Sequence, residues 1–336
     1  MKKILSLILA ILMVFGLAAC GTEPQNTDSS IPQNSEVTYA DANVYVLSGP
    51  TGIGAANLKS KADKKETAVN YNVTVVAKPD EVVAKISNGE ADIAAIATNL
   101  AAKLYNKTNG GISILAVNTL GVLNVVTPEG VEVASLADLK GKKVYTTGQG
   151  SNPEYIINYL FEKNGINKDT DLTLEFKAEG TELLTVWAND PTAVIIAPQP
   201  VATTLTVQNP KAKIAIDLTD EWEKLGDGSA LMMGCVVVRN EYLKENKATV
   251  DKFMEEYKAS VEAANKDIDG TAALCETYGI VAKAAIAKKA IPNCNLCFIS
   301  GNEMKTKLSG YLNVLFNADK TAVGGKLPED GFYYEG

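Results

Sequence analysis

The sequence predicts an α/β protein of two lobes, the second inserted into the first. Short β-branched runs alternate with helical stretches from Asn43 onward, and the alternation restarts near Ser135. A strong strand at Met232 to Arg239 is then followed by helical sequence with no sheet of its own to cover. The simplest packing returns that last part to the first lobe. Residues 40–122 plus 233–336 would form lobe 1, and residues 123–232 lobe 2. Each lobe is expected to hold a mostly parallel sheet flanked by helices. The hinge would be two chain crossings, near Asn118 to Leu123 and Leu231 to Cys235.

The elements run as follows. Asn43 to Leu47 is a β-rich run, followed by a turn and a helix near Ala55 to Lys61. Tyr71 to Ala77 reads as a strand, and Asp80 to Asn88 as a short helix capped by Asp80 and ended by Gly89. Ala91 to Ala97 is a buried strand, Leu100 to Tyr105 starts a helix, and Ile112 to Thr127 is extended with a break at Gly121. In the second unit Lys143 to Thr146, Leu172 to Phe176, Ala193 to Ile196 and Lys213 to Asp217 read as strands. Asn152 to Asn164, with Tyr155, Ile156, Tyr159, Leu160 and Phe161 at helical spacing, Glu179 to Trp187 and Pro200 to Val207 are the helices between them. From Asn240 on, all the segments read as helical.

The first forty residues carry their own signal. Lys2 and Lys3 precede an apolar run from Ile4 to Leu17, and Leu17-Ala18-Ala19-Cys20 follows. That is the pattern of a secretory signal peptide over residues 1–19, too short to span a bilayer comfortably. The Leu-Ala-Ala-Cys segment resembles the lipobox of bacterial lipoproteins. This resemblance implies cleavage before Cys20, a thioether diacylglycerol on its sulfur, and usually a third acyl chain such as palmitate on its amino group. Residues 20–39 are polar and rich in Ser, Asn, Gln and Pro, and are expected to act as a flexible tether. The folded part would then sit on the extracytoplasmic face of a cell membrane.

Composition narrows the chemistry. Hydrophobic residues make up 46% and charged residues 21%, as in ordinary globular proteins, and the net charge is −8. No basic patch suggests nucleic acid as a partner. There is no histidine, which removes the commonest general acid/base and metal ligand. Arg239 is the only arginine, so recognition of an anion by several guanidinium groups is excluded. Neither a nucleophile–base pair nor a metal cluster is evident, and no enzymatic activity, metal or cofactor is expected.

Beyond Cys20 lie Cys235, Cys275, Cys294 and Cys297. Cys235 sits in an apolar run and reads as a buried free thiol. Outside the membrane, a disulfide from Cys275 to Cys294 or Cys297 is expected, with Cys294 preferred.

Four strand-to-helix turns are the candidate binding elements, because open α/β sheets bind ligands beyond the carboxyl ends of their strands. Ser48, Gly49, Pro50, Thr51 and Gly52 form the first. This turn has the spacing of a phosphate loop but carries Ala55 and Ala56 where such a loop needs Lys and Ser/Thr, so nucleotide hydrolysis is not predicted. Thr98 and Asn99 form the second, with Asn118 at the nearby crossing. Thr147, Gly148, Gln149, Gly150, Ser151 and Asn152 form the third, and Pro198 and Gln199 the fourth. Two turns fall in each lobe, so closing lobes would bring them face to face across one cleft. What they offer is hydroxyl, amide and backbone N–H groups.

Three segments carry a resemblance to a known family. They are Asn88-Gly89-Glu90-Ala91-Asp92-Ile93-Ala94, then Leu136-Ala137-Asp138-Leu139-Lys140-Gly141-Lys142-Lys143-Val144, then Ala197-Pro198-Gln199-Pro200-Val201-Ala202. With the lipobox and the inserted lobe, they make the chain resemble a type II periplasmic binding protein of an ABC importer. More narrowly it is similar to the taurine/nitrate/sulfonate and thiamine-precursor binding family. Gln199 departs from the acidic residue that the family usually carries there.

The resemblance implies a binding protein that closes its lobes on a small molecule and hands it to an ABC permease driven by an ATPase. It would work as a monomer. Ligand identity stays open among a sulfonate, nitrate, a pyrimidine or another vitamin precursor. With Arg lacking, Asn99, Gln149, Asn152 and Gln199 favour an uncharged or weakly charged organic nutrient. The other readings are a surface lipoprotein for interaction or adhesion, and an enzyme on the same scaffold.

Overall fold

The computed structural model describes residues 38–225 and 229–336. The expected signal peptide, Cys20 and nearly all of the expected tether lie outside the described residues. The strands are β1 (Ala42–Leu47), β2 (Tyr71–Val76), β3 (Ile93–Ala97), β4 (Ile112–Thr119), β5 (Leu123–Thr127), β6 (Lys143–Thr147), β7 (Thr173–Lys177), β8 (Val194–Pro198), β9 (Lys213–Asp217), β10 (Gly234–Arg239) and β11 (Leu296–Ile299). The helices are α1 (Pro50–Asp63), α2 (Pro79–Ser87), α3 (Thr98–Lys107), α4 (Asn152–Lys163), α5 (Gly180–Leu183), α6 (Val186–Asn189), α7 (Val201–Gln208), α8 (Leu218–Glu223), α9 (Asn240–Glu245), α10 (Lys247–Lys266), α11 (Ile268–Thr277), α12 (Ala284–Ala290) and α13 (Gly301–Ala318).

They form two sheets of one design. The first runs β11-β4-β10-β3-β1-β2 and the second β7-β6-β8-β5-β9. In each, three parallel strands adjoin one strand delivered by a crossing: β10 pairs antiparallel with β3 and β4, and β5 pairs antiparallel with β8 and β9. Gly121 lies between β4 and β5, where the extended run changes sheets. The return passes through Leu231, Met232 and Met233 into β10.

Alternation along β1 buries Ala42, Val44 and Val46 on one face, with helices α1, α10, α11 and α12 completing that core. The opposite face of the first sheet packs with α2, α3 and α13 in a cluster that continues into the second lobe. The ring of Trp222 on α8 stands 4.7 Å from Tyr159 on α4 and 5.8 Å from Tyr311 on α13. The last long helix therefore packs against the inserted lobe as well as its own. A smaller cluster around Val126, Ile195 and Leu205 covers the other face of the second sheet.

Three expectations are corrected. The chain beyond Asn240 is not wholly helical, because Leu296–Ile299 adds an edge strand beside β4. Only two of its partner positions are in register, so its short run gave little alternating pattern to read. Asp80 does not cap α2. Lys78 occupies that position, Pro79 opens the helix, and Asp80 lies in its first turn. The Cys275–Cys294 disulfide is not formed: Cys235, Cys275 and Cys294 are buried free thiols and Cys297 is a half-buried one. Apolar burial pushes the thiols of Cys275, Cys294 and Cys297 up to about 12, and so disfavours the thiolate that disulfide exchange requires.

Candidate ligand-binding cleft

A cleft of about 680 Å³ opens between the two lobes. Its first wall comes from the carboxyl ends of β1 and β3, through Leu47, Ser48, Pro50, Thr51, Ala97, Asn99, Leu100 and Lys103. Pro79 and Asp80 at the start of α2 extend that wall. Gln149, Gly150, Ser151, Asn152 and Pro153 face them from the second lobe, joined by Ala178. Thr119, Val122, Met233 and Gly234, at the two crossings, complete the lining.

Local sequence explains why helices start here. Thr51 Oγ1 donates to the Leu47 carbonyl at 3.2 Å, tying the first turn of α1 to the end of β1. A Cβ added to Gly52 would lie 2.5 Å from that same carbonyl oxygen, so only glycine lets α1 begin so close to the strand. On the other side Ser151 Oγ donates to the Gly148 carbonyl at 2.8 Å and shapes the turn before α4.

Helices α1, α2, α3 and α4 all present their first turn to the cleft, and none of the four carries a side-chain cap. First-turn N–H groups have no partner within their helix, and the helix dipole makes that end partly positive. Four such ends give the cleft hydrogen-bond donors without any arginine. The charged side chains in the lining are Asp80 and Lys103, and neither forms a salt bridge among the described residues.

The candidate residues divide into two groups. Ser48, Pro50, Thr51, Asn99, Gln149, Gly150, Ser151 and Asn152 line the cleft. Gly49, Gly52, Thr98, Asn118, Thr147, Gly148, Pro198 and Gln199 do not. Gly49 N–H donates to the Ile280 carbonyl at 3.2 Å. Thr98 is fully buried, and its N–H and hydroxyl donate to the carbonyls of Met233 and Met232. Asn118 turns to the far face of the sheet, where its Nδ2 donates to Tyr257 Oη at 2.8 Å. Gln199 faces α7, its Oε1 accepting from the Thr203 hydroxyl at 2.7 Å and the Thr203 N–H at 3.3 Å. Its peptide bond to Pro200 is cis.

Sequence reading missed Leu47, Pro79, Asp80, Ala97, Leu100, Lys103, Thr119, Val122, Pro153, Ala178, Met233 and Gly234. Asp80 and Pro79 had a signal, since they too follow a strand and open a helix. Met233 and Gly234 reach the cleft only because β10 pairs with β3 and β4.

Two sheets of like order, joined by two crossings, with strand-to-helix turns meeting in one cleft, define the periplasmic-binding-protein fold. The chain belongs to the NMT1/THI5-like family, whose model matches residues 65–269. No curated protein sequence matches it. Several solved structures share the fold. An ABC transporter from Parabacteroides distasonis is 24% identical, with a TM-score of 0.73, covering 89% of this chain and 99% of that one. The periplasmic aliphatic sulphonate binding protein SsuA of Escherichia coli is 10% identical, with a TM-score of 0.71, covering 88% and 92%. A Candida albicans protein, described as exhibiting the generic periplasmic binding protein fold, is 12% identical, with a TM-score of 0.54, covering 87% and 93%.

Among the described residues no helix is long and apolar enough to cross a membrane, and no group of three His, Cys, Asp or Glu residues could hold a metal ion.

Proposed function

We propose that this protein is an extracytoplasmic solute-binding lipoprotein that captures a small organic nutrient and delivers it to an ABC importer. The observation that carries this is the cleft itself. Its walls come from both lobes, its floor from both crossings, and its volume of about 680 Å³ falls in the usual range for small-molecule sites. A solute touching both walls binds the closed form better than the open one and so shifts the population toward closure. Closure is then the signal that a permease reads, with an ATPase driving release.

The likeness to an ABC transporter from Parabacteroides distasonis and to a sulphonate-binding protein supports this role. The leader and Cys20 complete it. A lipid-anchored Cys20 on a polar tether would hold the binding domain near its permease and raise its effective concentration there.

A thermal-shift screen against a metabolite panel tests the proposal. A saturable shift without turnover, lost when Thr51→Trp fills the cleft, is the expected result. Turnover of the bound compound would replace transport by catalysis. A protein that no small molecule shifts would turn attention to a surface-interaction role.

A further inference from the structure

Asn152 is the first residue of α4 and lines the cleft, yet it is only 3% exposed. Its Nδ2 donates to the Met233 carbonyl across a long 3.4 Å. Met233 is fixed to the first lobe, since its N–H donates to the Thr119 carbonyl and its carbonyl also accepts from the Thr98 N–H. The contact therefore bridges the lobes. It also sets the amide's orientation, because a flipped amide would put Oδ1 against the Met233 oxygen. In this orientation Oδ1 is buried and has no hydrogen-bond partner. None of the backbone N–H groups at the uncapped helix ends around it reaches Oδ1, so a donor has to come from another molecule in the cleft.

We propose that Asn152 Oδ1 reads a hydrogen-bond donor on the solute, so that the cleft takes organic solutes bearing an N–H or O–H and discriminates against donor-free anions. This rests on the capture reading above and adds a rule for closure. When the lobes part, the Met233 contact breaks and water reaches Oδ1. When they close on a solute without a donor, the acceptor is stranded, which weakens closure about tenfold or more. A solute that donates removes that cost and at the same time offers acceptors to the helix ends.

The test pairs small-angle scattering with calorimetry on the wild type, Asn152→Leu and Asn152→Ala. The probes are uracil against 1,3-dimethyluracil, and taurine against ethanesulfonate. In the wild type, the donor-bearing member of a pair is expected to bind about tenfold tighter, and the preference to vanish in the variants. Equal binding of both members of a pair, or a preference that survives Asn152→Leu, would overturn the inference. Failure of the capture reading is distinct: it shows as no contraction with any solute of the wider screen.

Discussion

Arg239 Nη2 lies 3.0 Å from Asp92 Oδ1, and Arg239 Nε donates to the Ala91 carbonyl at 3.1 Å. Asp92 Oδ2 in turn accepts from the backbone N–H of Asn43 at 2.9 Å. The only arginine in the chain thus latches β10 to the entry of β3 and β1, at the end of the sheet opposite the cleft. Both side chains are largely buried, at 19% and 10% exposure. Arg239→Met leaves the carboxylate without its charged partner and is expected to cost about 3 kcal/mol of stability. Denaturant unfolding would measure that loss. Affinity for a solute of the folded variant should stay unchanged, and a large loss of affinity would show that the latch acts on the cleft.

The hinge makes a second prediction. A Cβ on Gly121 would stand 2.2 Å from Thr219 Oγ1 and 2.8 Å from Leu231 Cδ1, so the first crossing, the second crossing and the start of α8 meet at one point. Asn295 holds the same point from the first lobe, its Nδ2 donating to the Gly121 carbonyl at 2.6 Å. Gly121→Ala must push these chains apart and is expected to destabilise by about 1–3 kcal/mol. A melting temperature equal to that of the wild type would show that the crossings have slack.

Much of this architecture was legible in the sequence. The cleft-lining turns Ser48 to Thr51 and Gln149 to Asn152 follow strands and open helices, a local pattern. Asn118 shows the limit. The extended run was readable, but which face Asn118 takes depends on the register of β4 against β10, where neighbouring residues point to opposite sides. Thr119 lines the cleft and Asn118 meets Tyr257. Gln199 reads from sequence as an amide for a ligand, but Thr203 in the helix that follows takes up its acceptor. Met233 and Gly234 depend on pairing between strands more than 100 residues apart in sequence, which no local pattern encodes.

The cysteines give a third prediction. Burial in the apolar core drives the Cys235 thiol up and holds Cys275 and Cys294 near 12, all far above neutral pH. Iodoacetamide at pH 8 should leave these three unlabelled in the folded protein and label all of them after unfolding without reductant. Mass spectrometry reads the count. Labelling of Cys275 and Cys294 only after reduction would mean that a bridge forms between them.

The fourth concerns pH. Asp138 accepts from the N–H groups of Ala134 and Ser135, each at 2.9 Å, and these hold its carboxyl below the ordinary range. Lys140, 2.9 Å from Asp171, does the same for Asp171. Their folded values lie below the unfolded value of about 3.9, so their contribution is complete above it and is lost as pH falls through the folded values. The chain has no histidine, the one side chain whose ordinary value lies between pH 5 and 8. Thermal midpoints should therefore be flat from pH 5 to 8 and drop below pH 4. A decline that sets in above pH 5 would contradict this.

The exchanged strands have a consequence for biogenesis. The first sheet needs β10 between β3 and β4, and β10 ends only at Arg239. A chain threaded from its amino end through a narrow conduit cannot complete that sheet until most of its length has emerged. Premature folding is therefore delayed by topology alone, because the pairing that closes the sheet is non-local and slow. The same two crossings that join the lobes would keep a chain so threaded slack during its passage.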